Sequence, residues 1–567
     1  MANDGPSTPE YDYVIVGSGF GGSVSALRLT EKGYRVAVVE MGKRWPTEKF
    51  PRTNWNSKKF FWAPRLFRYG IQRITLLRDV LILSGAGVGG GSLVYANTLL
   101  VPPDRVWDDP KWAGLEPWRE VMPAFYAEAK RMLGVTRNPR LFKADEVLRE
   151  VARELGREHT FQPTDVGVFF GEPGVTVRDP FFGGEGPDRA GCTFCGGCMV
   201  GCRFHAKNTL DKNYLYLAEK RGAVVIPETR VTSIEPVGAP DGADGYRLFT
   251  ERSTSWWGRP RGELLARGVV LSAGVLGTVP LLLKCRASGA LPRLSDELGN
   301  YVRTNSEAIL PVTTREATLD LSEGVAITSG AFVDEHTHVE VVHYSKGSDA
   351  MAVLTTVLTD GGTRLTRPLK WVWNCLSHPV DFLRTLWPFG WAQRTVILLV
   401  MQTLDNFMRM RLGLFGLTTR QAGGQKKVPA YIKAANDTAR SFGKKLNARP
   451  QSAIFEVLFN VPTTAHILGG AAMGRDAASG VIDAKNRVFG YQRFYVVDGS
   501  MIGANLGVNP SLTITALAEH AMSHIPLKPG ATAQPAVDPA WEAKRVAEIN
   551  ALAARLGSDS LQAKHGG

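Results

Sequence analysis

The sequence predicts an α/β protein, with a Rossmann-like dinucleotide-binding domain joined to an α+β substrate-binding domain built on a mixed sheet. Three observations carry that prediction. A short apolar run, Tyr13-Val14-Ile15-Val16, enters the glycine turn Gly17-Ser18-Gly19-Phe20-Gly21-Gly22. A second glycine-dense stretch runs from Leu83 to Ser92. Alternating runs such as Val339-Glu340-Val341-Val342-His343-Tyr344 and Met351-Ala352-Val353-Leu354-Thr355-Thr356 then read as strands of a second sheet.

The first turn has the order strand, glycines, helix, strand, acid. Gly17 allows the tight turn, Gly19 lets backbone approach a pyrophosphate, and Gly22 lets the helix pack closely on the strand. Phe20 opens the helix, whose first N–H groups face an anion. The next strand, Arg35 to Val39, ends at Glu40, an acid placed to hydrogen-bond ribose hydroxyls.

The second glycine cluster is Gly85-Ala86-Gly87-Val88-Gly89-Gly90-Gly91-Ser92, followed by Tyr95-Ala96-Asn97. So many glycines cost backbone entropy and make sense where the chain lies flat against a rigid ligand. Further segments follow in order. Arg230-Val231 comes after the strand Ala223 to Ile226, and Val269 to Ser272 leads into Ala273-Gly274. His466-Ile467-Leu468-Gly469-Gly470, Tyr495-Val496-Val497-Asp498-Gly499-Ser500 and Gly507-Val508-Asn509-Pro510 close the series.

This ordered set resembles the glucose–methanol–choline (GMC) oxidoreductase family, its sterol-oxidising branch above all, from about residue 11 to 527. The resemblance implies an FAD-dependent enzyme that oxidises a hydroxyl on a bulky apolar substrate, such as a 3β-hydroxysteroid, to a ketone. It implies FAD contacts at Gly17, Gly19, Phe20, Gly22, Glu40, Gly85, Gly90, Gly91, Ser92, Asn97, Val231, Ala273, Gly274, Asp498, Gly499, Asn509 and Pro510. It makes His466 and Asn509 the catalytic pair. An imidazole near its ordinary pKa accepts a proton at neutral pH, and a carboxamide orients the substrate oxygen. His520 and His524 read as structural. One departure concerns a glutamate that shuttles a proton during double-bond isomerisation in related enzymes. The matching position is Gln393, and an amide is no base at neutral pH. Glu456 is the fallback carboxylate.

Six cysteines are present, and four of them, Cys192, Cys195, Cys198 and Cys202, are spaced C-x2-C-x2-C-x3-C. That spacing matches iron–sulfur ligation, which leaves two readings open: a cluster, or a Cys/Gly-rich loop with free thiols or one local disulfide. A cluster points to a flavin dehydrogenase of long-chain alcohols or sugars that feeds a quinone or protein acceptor. Without one, oxygen is the acceptor. A membrane-associated flavin protein that binds or senses without turnover is the non-enzymatic alternative.

The 567 residues hold several domain-sized cores. Residues 1–100, 186–310 and 456–528 are assigned to a discontinuous FAD-binding domain. Residues 101–185 and 311–455 go to the substrate domain, and 529–567 to a linker and terminal helix. Asp104 to Leu133 reads as two helical pieces. The net charge of +13 favours anionic partners. No zinc-finger, RNP1-like or long basic block accompanies it, so nucleic acid is not among them. Two stretches mix aromatics with cations. In the first, Trp45, Trp55, Phe60, Phe61, Trp62 and Phe67 stand among Lys58, Lys59, Arg65, Arg68 and Arg73, and read as core packing with a basic rim. In the second, Trp371, Trp373, Trp387, Phe389 and Trp391 stand among Arg367, Lys370, Arg384 and Arg394, and suit a peripheral membrane surface. The N-terminus lacks the basic and apolar regions of a secretory signal. The run Val396 to Met401 is far short of the roughly 20 residues of a spanning helix. The expected location is therefore cytoplasmic, peripheral at the membrane.

Overall fold

A computed structural model describes residues 9–255, 257–414, 416–421 and 427–534. Residues 535–567, with the second half of the linker and all of the terminal helix expected there, lie outside the described residues.

The first of two large sheets is built around the strand Tyr11–Val16, which runs parallel to Val36–Val39 on one side and to Arg261–Leu271 on the other. Val224–Ile226 and Phe494–Val496 extend the parallel part at its two ends. Val36–Val39 and the run Tyr13 to Val16 are apolar throughout because both faces are covered. The N-terminal half of Arg261–Leu271 turns antiparallel with Tyr246–Arg252, which pairs with Thr229–Pro236. Between Val231 and Ser233 the register slips at a bulge. Helix Phe20–Glu31 packs between this sheet and helix Ser511–Ser523, which also covers helix Trp118–Met132. The two helical pieces expected over 104–133 are a short turn, Asp104–Asp108, and this last helix.

The second sheet has the order Thr355–Val357, Ala448–Ala453, Ala308–Thr314, Thr395–Gln402, Thr337–Val342, Ile327–Phe332 and Gln162–Pro163, antiparallel at every pairing. Along its central strand Val396, Leu398 and Val400 face helices Lys143–Glu154 and Lys433–Lys445. Ile397, Leu399 and Met401 face the opposite side. The aliphatic run 396–401 is thus a strand buried on both faces. The expected strand at 351–356 is instead a helical turn, Ala350–Leu354, followed by the short strand. The spacing that matters there is three, since Met351 and Leu354 both reach the cavity described next.

Candidate active site

A cavity of ≈ 670 Å³ lies between the first sheet's glycine turns and the inner face of the second sheet. Its floor starts at the first turn. Gly17 has φ +100°, and its N–H donates to the Val39 carbonyl at 2.8 Å. A Cβ on Gly22 would stand 2.0 Å from the Gly17 oxygen, so Gly22 serves helix–strand packing and does not line the cavity. Gly19 differs: its nearest obstacle would be 3.9 Å away. Gly91 and Gly274 likewise face open space. Three glycines therefore turn bare backbone to one cavity, beside the start of helix Phe20–Glu31. That is the cradle a dinucleotide needs. Arg73, Arg230 and Lys284 add cations to the wall.

Glu40 lines the cavity and also holds the turn together. It accepts from Ser18 N (3.1 Å), Ser18 Oγ (2.7 Å) and Gly42 N (2.8 Å). Burial raises its carboxyl pKa despite those bonds. Phe20, Gly85, Gly90, Val231, Ala273, Gly499 and Pro510 also line the cavity. Val231 does so at the bulge, where unpaired backbone is re-aimed toward a ligand edge. Asp498 is on the wall, but its carboxylate is spent on protein. It accepts from Gly274 N (2.9 Å), Thr278 Oγ1 (2.5 Å), Ser500 N (2.8 Å) and Ser500 Oγ (2.5 Å), clipping helix Val275–Ala287 to the following turn.

Ser92 and Asn97, expected as cofactor contacts, sit behind the wall. The Ser92 hydroxyl donates to the Gly89 carbonyl at 2.7 Å and accepts from Leu210 N at 3.1 Å, so it braces the glycine loop. Asn97 is wholly buried with φ +69° and turns the chain.

His466 and Asn509 meet at the cavity. His466 follows the strand Thr463–Thr464, which pairs with Val80–Gly85. Its Nδ1 is 3.2 Å from Oε2 of Glu307, a fully buried carboxylate that also accepts from Thr464 Oγ1 (2.7 Å) and Ala465 N (3.1 Å). Burial opposes charging of the imidazole, but the Glu307 charge and contact prevail, and the His466 pKa is raised. Asn509 is held from two sides. Asn305 Oδ1 accepts from Gly507 N and its Nδ2 donates to the Val508 carbonyl, each at 2.8 Å. Asn509 Nδ2 donates to Glu340 Oε2 at 3.1 Å. Its Oδ1 is buried without a protein partner, an acceptor left for a ligand. Asn305 and Ser306 both have left-handed φ (59° and 45°), costly backbone of the kind that collects at functional sites.

Glu307 and Glu340 are carboxylates in contact with this pair that sequence reasoning did not single out. Burial lifts the Glu340 pKa to about 8, so this acid is largely protonated at neutral pH. His338 Nδ1 lies 3.8 Å from Glu340 Oε1, and burial lowers its pKa to about 4. The signal for Glu340 was in plain sight, as a charge inside the apolar run Val339 to Val342. Gln393 turns away from the cavity and donates to Asp320 Oδ2 at 3.1 Å. Glu456 is buried with its pKa lifted to about 8, outside the cavity wall. His520 and His524 contact each other at 3.2 Å, and His520 packs against Trp118 and Phe125.

The roof of the cavity is apolar. Ile309, Pro311, Ile327, Val342, Ile397 and Leu399 descend from the second sheet, and Tyr344, Met351, Leu354 and Trp391 close its side. Such a chamber suits a bulky hydrocarbon with one polar end.

The four spaced cysteines form no disulfide among the described residues. Cys192 and Cys198 are buried in an apolar cluster with Val166, Phe170, Phe194 and Val325, while Cys195 is exposed and Cys202 half-buried. Among the described residues no three His, Cys, Asp or Glu side chains converge to hold a metal ion. Instead, the loop is tied to the glycine loop by Lys207. Its buried ammonium donates to the carbonyls of Leu93 (3.1 Å), Tyr95 (2.9 Å) and Cys198 (2.8 Å). Burial drags its pKa down to about 7.

Comparison with known proteins places this architecture. The family model described as GMC oxidoreductase matches residues 400–518, and one described as NAD(P)-binding Rossmann-like domain matches 15–71. A cholesterol oxidase of Acinetobacter baumannii is 51% identical over 529 residues, covering 92% of this chain and 95% of that protein. A cholesterol oxidase of Mycobacterium tuberculosis is 50% identical, covering 92% of each. Among solved structures, pyridoxine 4-oxidase from Mesorbium loti shares the fold, with a TM-score of 0.58, 15% identity, and coverage of 90% of this chain and 98% of that one.

Proposed function

This chain belongs to the GMC oxidoreductase family, and on that premise we propose that it oxidises the 3β-hydroxyl of a sterol-like alcohol to a ketone, with FAD as cofactor and oxygen as the final acceptor. The observation that carries the reading is the meeting of His466 and Asn509 under an apolar roof, in a chain half-identical to cholesterol oxidases. Gly19, Gly91 and Gly274 would offer bare backbone to FAD, and Glu40 and Val231 on the same wall would help hold it. Bound FAD supplies the acceptor for the hydride that leaves the carbinol carbon.

The protein's own part is proton handling and orientation. Neutral His466 takes the hydroxyl proton as the carbon–hydrogen bond breaks. Glu307, with its Oε2 3.2 Å from Nδ1, stabilises the resulting imidazolium by its charge. Asn509, anchored by Glu340 and by the Asn305-held loop, orients the substrate oxygen. The roof excludes water and holds the hydrocarbon. The iron–sulfur dehydrogenase alternative has no support in the placement of the four cysteines.

The test is anaerobic mixing of the yellow holoenzyme with a panel of alcohols. Rapid bleaching of the flavin absorbance by a 3β-hydroxysteroid, and not by glucose, is the expected result. Bleaching by sugars alone overturns the substrate assignment.

A further inference from the structure

One place in the chamber departs from hydrocarbon. Tyr344 and Trp391 both line the cavity and are only 9% and 5% exposed. Their rings lie 6.4 Å apart. They pack in one cluster with Met199, Val342, Met351 and Ile397, whose side chains offer no acceptor better than thioether sulfur. Among the described residues no group pairs with the Tyr344 hydroxyl. Burial alone raises its pKa to about 12, so it stays protonated and remains a donor. The Trp391 indole N–H is buried and likewise has no acceptor. A buried donor without an acceptor is costly, and two side by side on a cavity wall point to an acceptor on the ligand.

The fold sets these donors at the end of the chamber away from the catalytic pair. Glu340, Val342 and Tyr344 are alternate residues and share one face. Glu340 accepts from Asn509 Nδ2 at 3.1 Å, Val342 lines the roof, and Tyr344 comes two residues later. Extended chain from Glu340 to Tyr344 spans about 13 Å. The neighbouring strand runs the other way. Leu399 stands opposite Glu340 and Ile397 opposite Val342, and the chain leads back from there to Trp391, the first residue of helix Trp391–Arg394. Glu307, the partner of His466, is at the catalytic end as well, just before Ala308, which pairs with Val400. A rigid fused-ring alcohol whose hydroxyl meets His466 and Asn509, lying along the roof, carries its far end to Tyr344 and Trp391.

We propose that Tyr344 and Trp391 form a second polar subsite that donates hydrogen bonds to an oxygen at the far end of the substrate, so that the preferred class is a 3β-hydroxysteroid with a ketone at its ring-D end rather than one with a bare hydrocarbon there. The proposal rests on the sterol reading. A ketone oxygen has two lone pairs and accepts from both donors, whereas hydrocarbon leaves both unpaired. Contacts at the far end also fix how the carbinol meets His466.

The experiment compares two steroids on the full-length holoenzyme, one with a ketone at C17 and an otherwise identical 3β-hydroxysteroid with a methylene there. Anaerobic flavin reduction at limiting steroid gives an apparent second-order rate constant for each. Wild-type protein is expected to favour the ketone by about tenfold or more. Tyr344→Phe keeps the ring and loses the hydroxyl, and should bring the ratio close to one. Trp391→Phe loses the N–H and should lower the ratio as well. General damage from either substitution slows both steroids alike, so the ratio reports the subsite. A wild-type ratio near one overturns the proposal, as does a preference that survives either substitution undiminished. If neither steroid bleaches the flavin, the sterol reading falls and the subsite with it. If both bleach it equally, the subsite alone falls.

Discussion

His466 works through its neighbour. The raised pKa means the imidazole loses its proton at higher pH than a free one, so the neutral base is scarcer in mild acid. The acidic limb of the kcat/KM profile should therefore lie above the ordinary imidazole range of about 6.5. Glu307→Gln removes the counter-charge and should shift that limb to lower pH while lowering kcat. A limb that stays put would show that Glu307 does not set the titration. The same linkage has a stability sign. The group with the raised folded pKa stabilises the protein below the unfolded value, and that contribution fades as pH rises through the folded one. Glu340→Ala leaves the Asn509 amide without its buried acceptor, and should cost about 1–3 kcal/mol in chemical denaturation. His466 and Asn509 were singled out through the resemblance of the segments that hold them, and the structure brings both to one cavity. Glu307 was not singled out, because its role comes from a contact across the fold with residues 464–466, and nothing local marks it.

At the scale of elements, the glycines separate into two jobs. Gly19→Ala should fold with near wild-type apoprotein stability yet bind FAD much more weakly, since its Cβ enters only the cavity. Gly22→Ala should lose about 1–3 kcal/mol of stability even without cofactor, because its Cβ collides with the Gly17 carbonyl. Thermal melts of both apoproteins, with flavin titrations, test the split; equal effects would contradict it. The glycine turn and the returning strand at Val269 were legible from local pattern. The turn at 350–354 was not, since a run of small and apolar residues satisfies either a period of two or of three. The cysteine loop is a related case. Spacing along the chain matched a ligand set, but packing sends Cys192 and Cys198 inward and leaves Cys195 in solvent.

The whole molecule is two sheets closing on one chamber, and the closure buries acids. Glu340 and Glu456 both have pKa values lifted to about 8, by burial above all. Such groups stay neutral when folded and ionise freely when unfolded. Between about pH 4.5 and 8 each lowers stability as pH rises, by at most about 1.4 kcal/mol per pH unit. The double variant Glu340→Gln/Glu456→Gln should flatten that slope; an unchanged slope in denaturation from pH 5 to 8 would contradict the burial argument. The basic surface charge and the two sheets were foreseen from composition and pattern. The stretch over 367–394 was read as a mixture of aromatics and cations suited to a membrane surface. The structure sorts that mixture, sending Arg367 and Trp391 inward and Trp373 and Trp387 out.

The most direct measurement is anaerobic stopped-flow mixing of FAD-loaded His466→Ala with a 3β-hydroxysteroid. The account predicts a yellow protein that binds the steroid but bleaches about 10²- to 10⁴-fold more slowly than wild type, and is insensitive to pH where wild type titrates. Bleaching at the wild-type rate would contradict it.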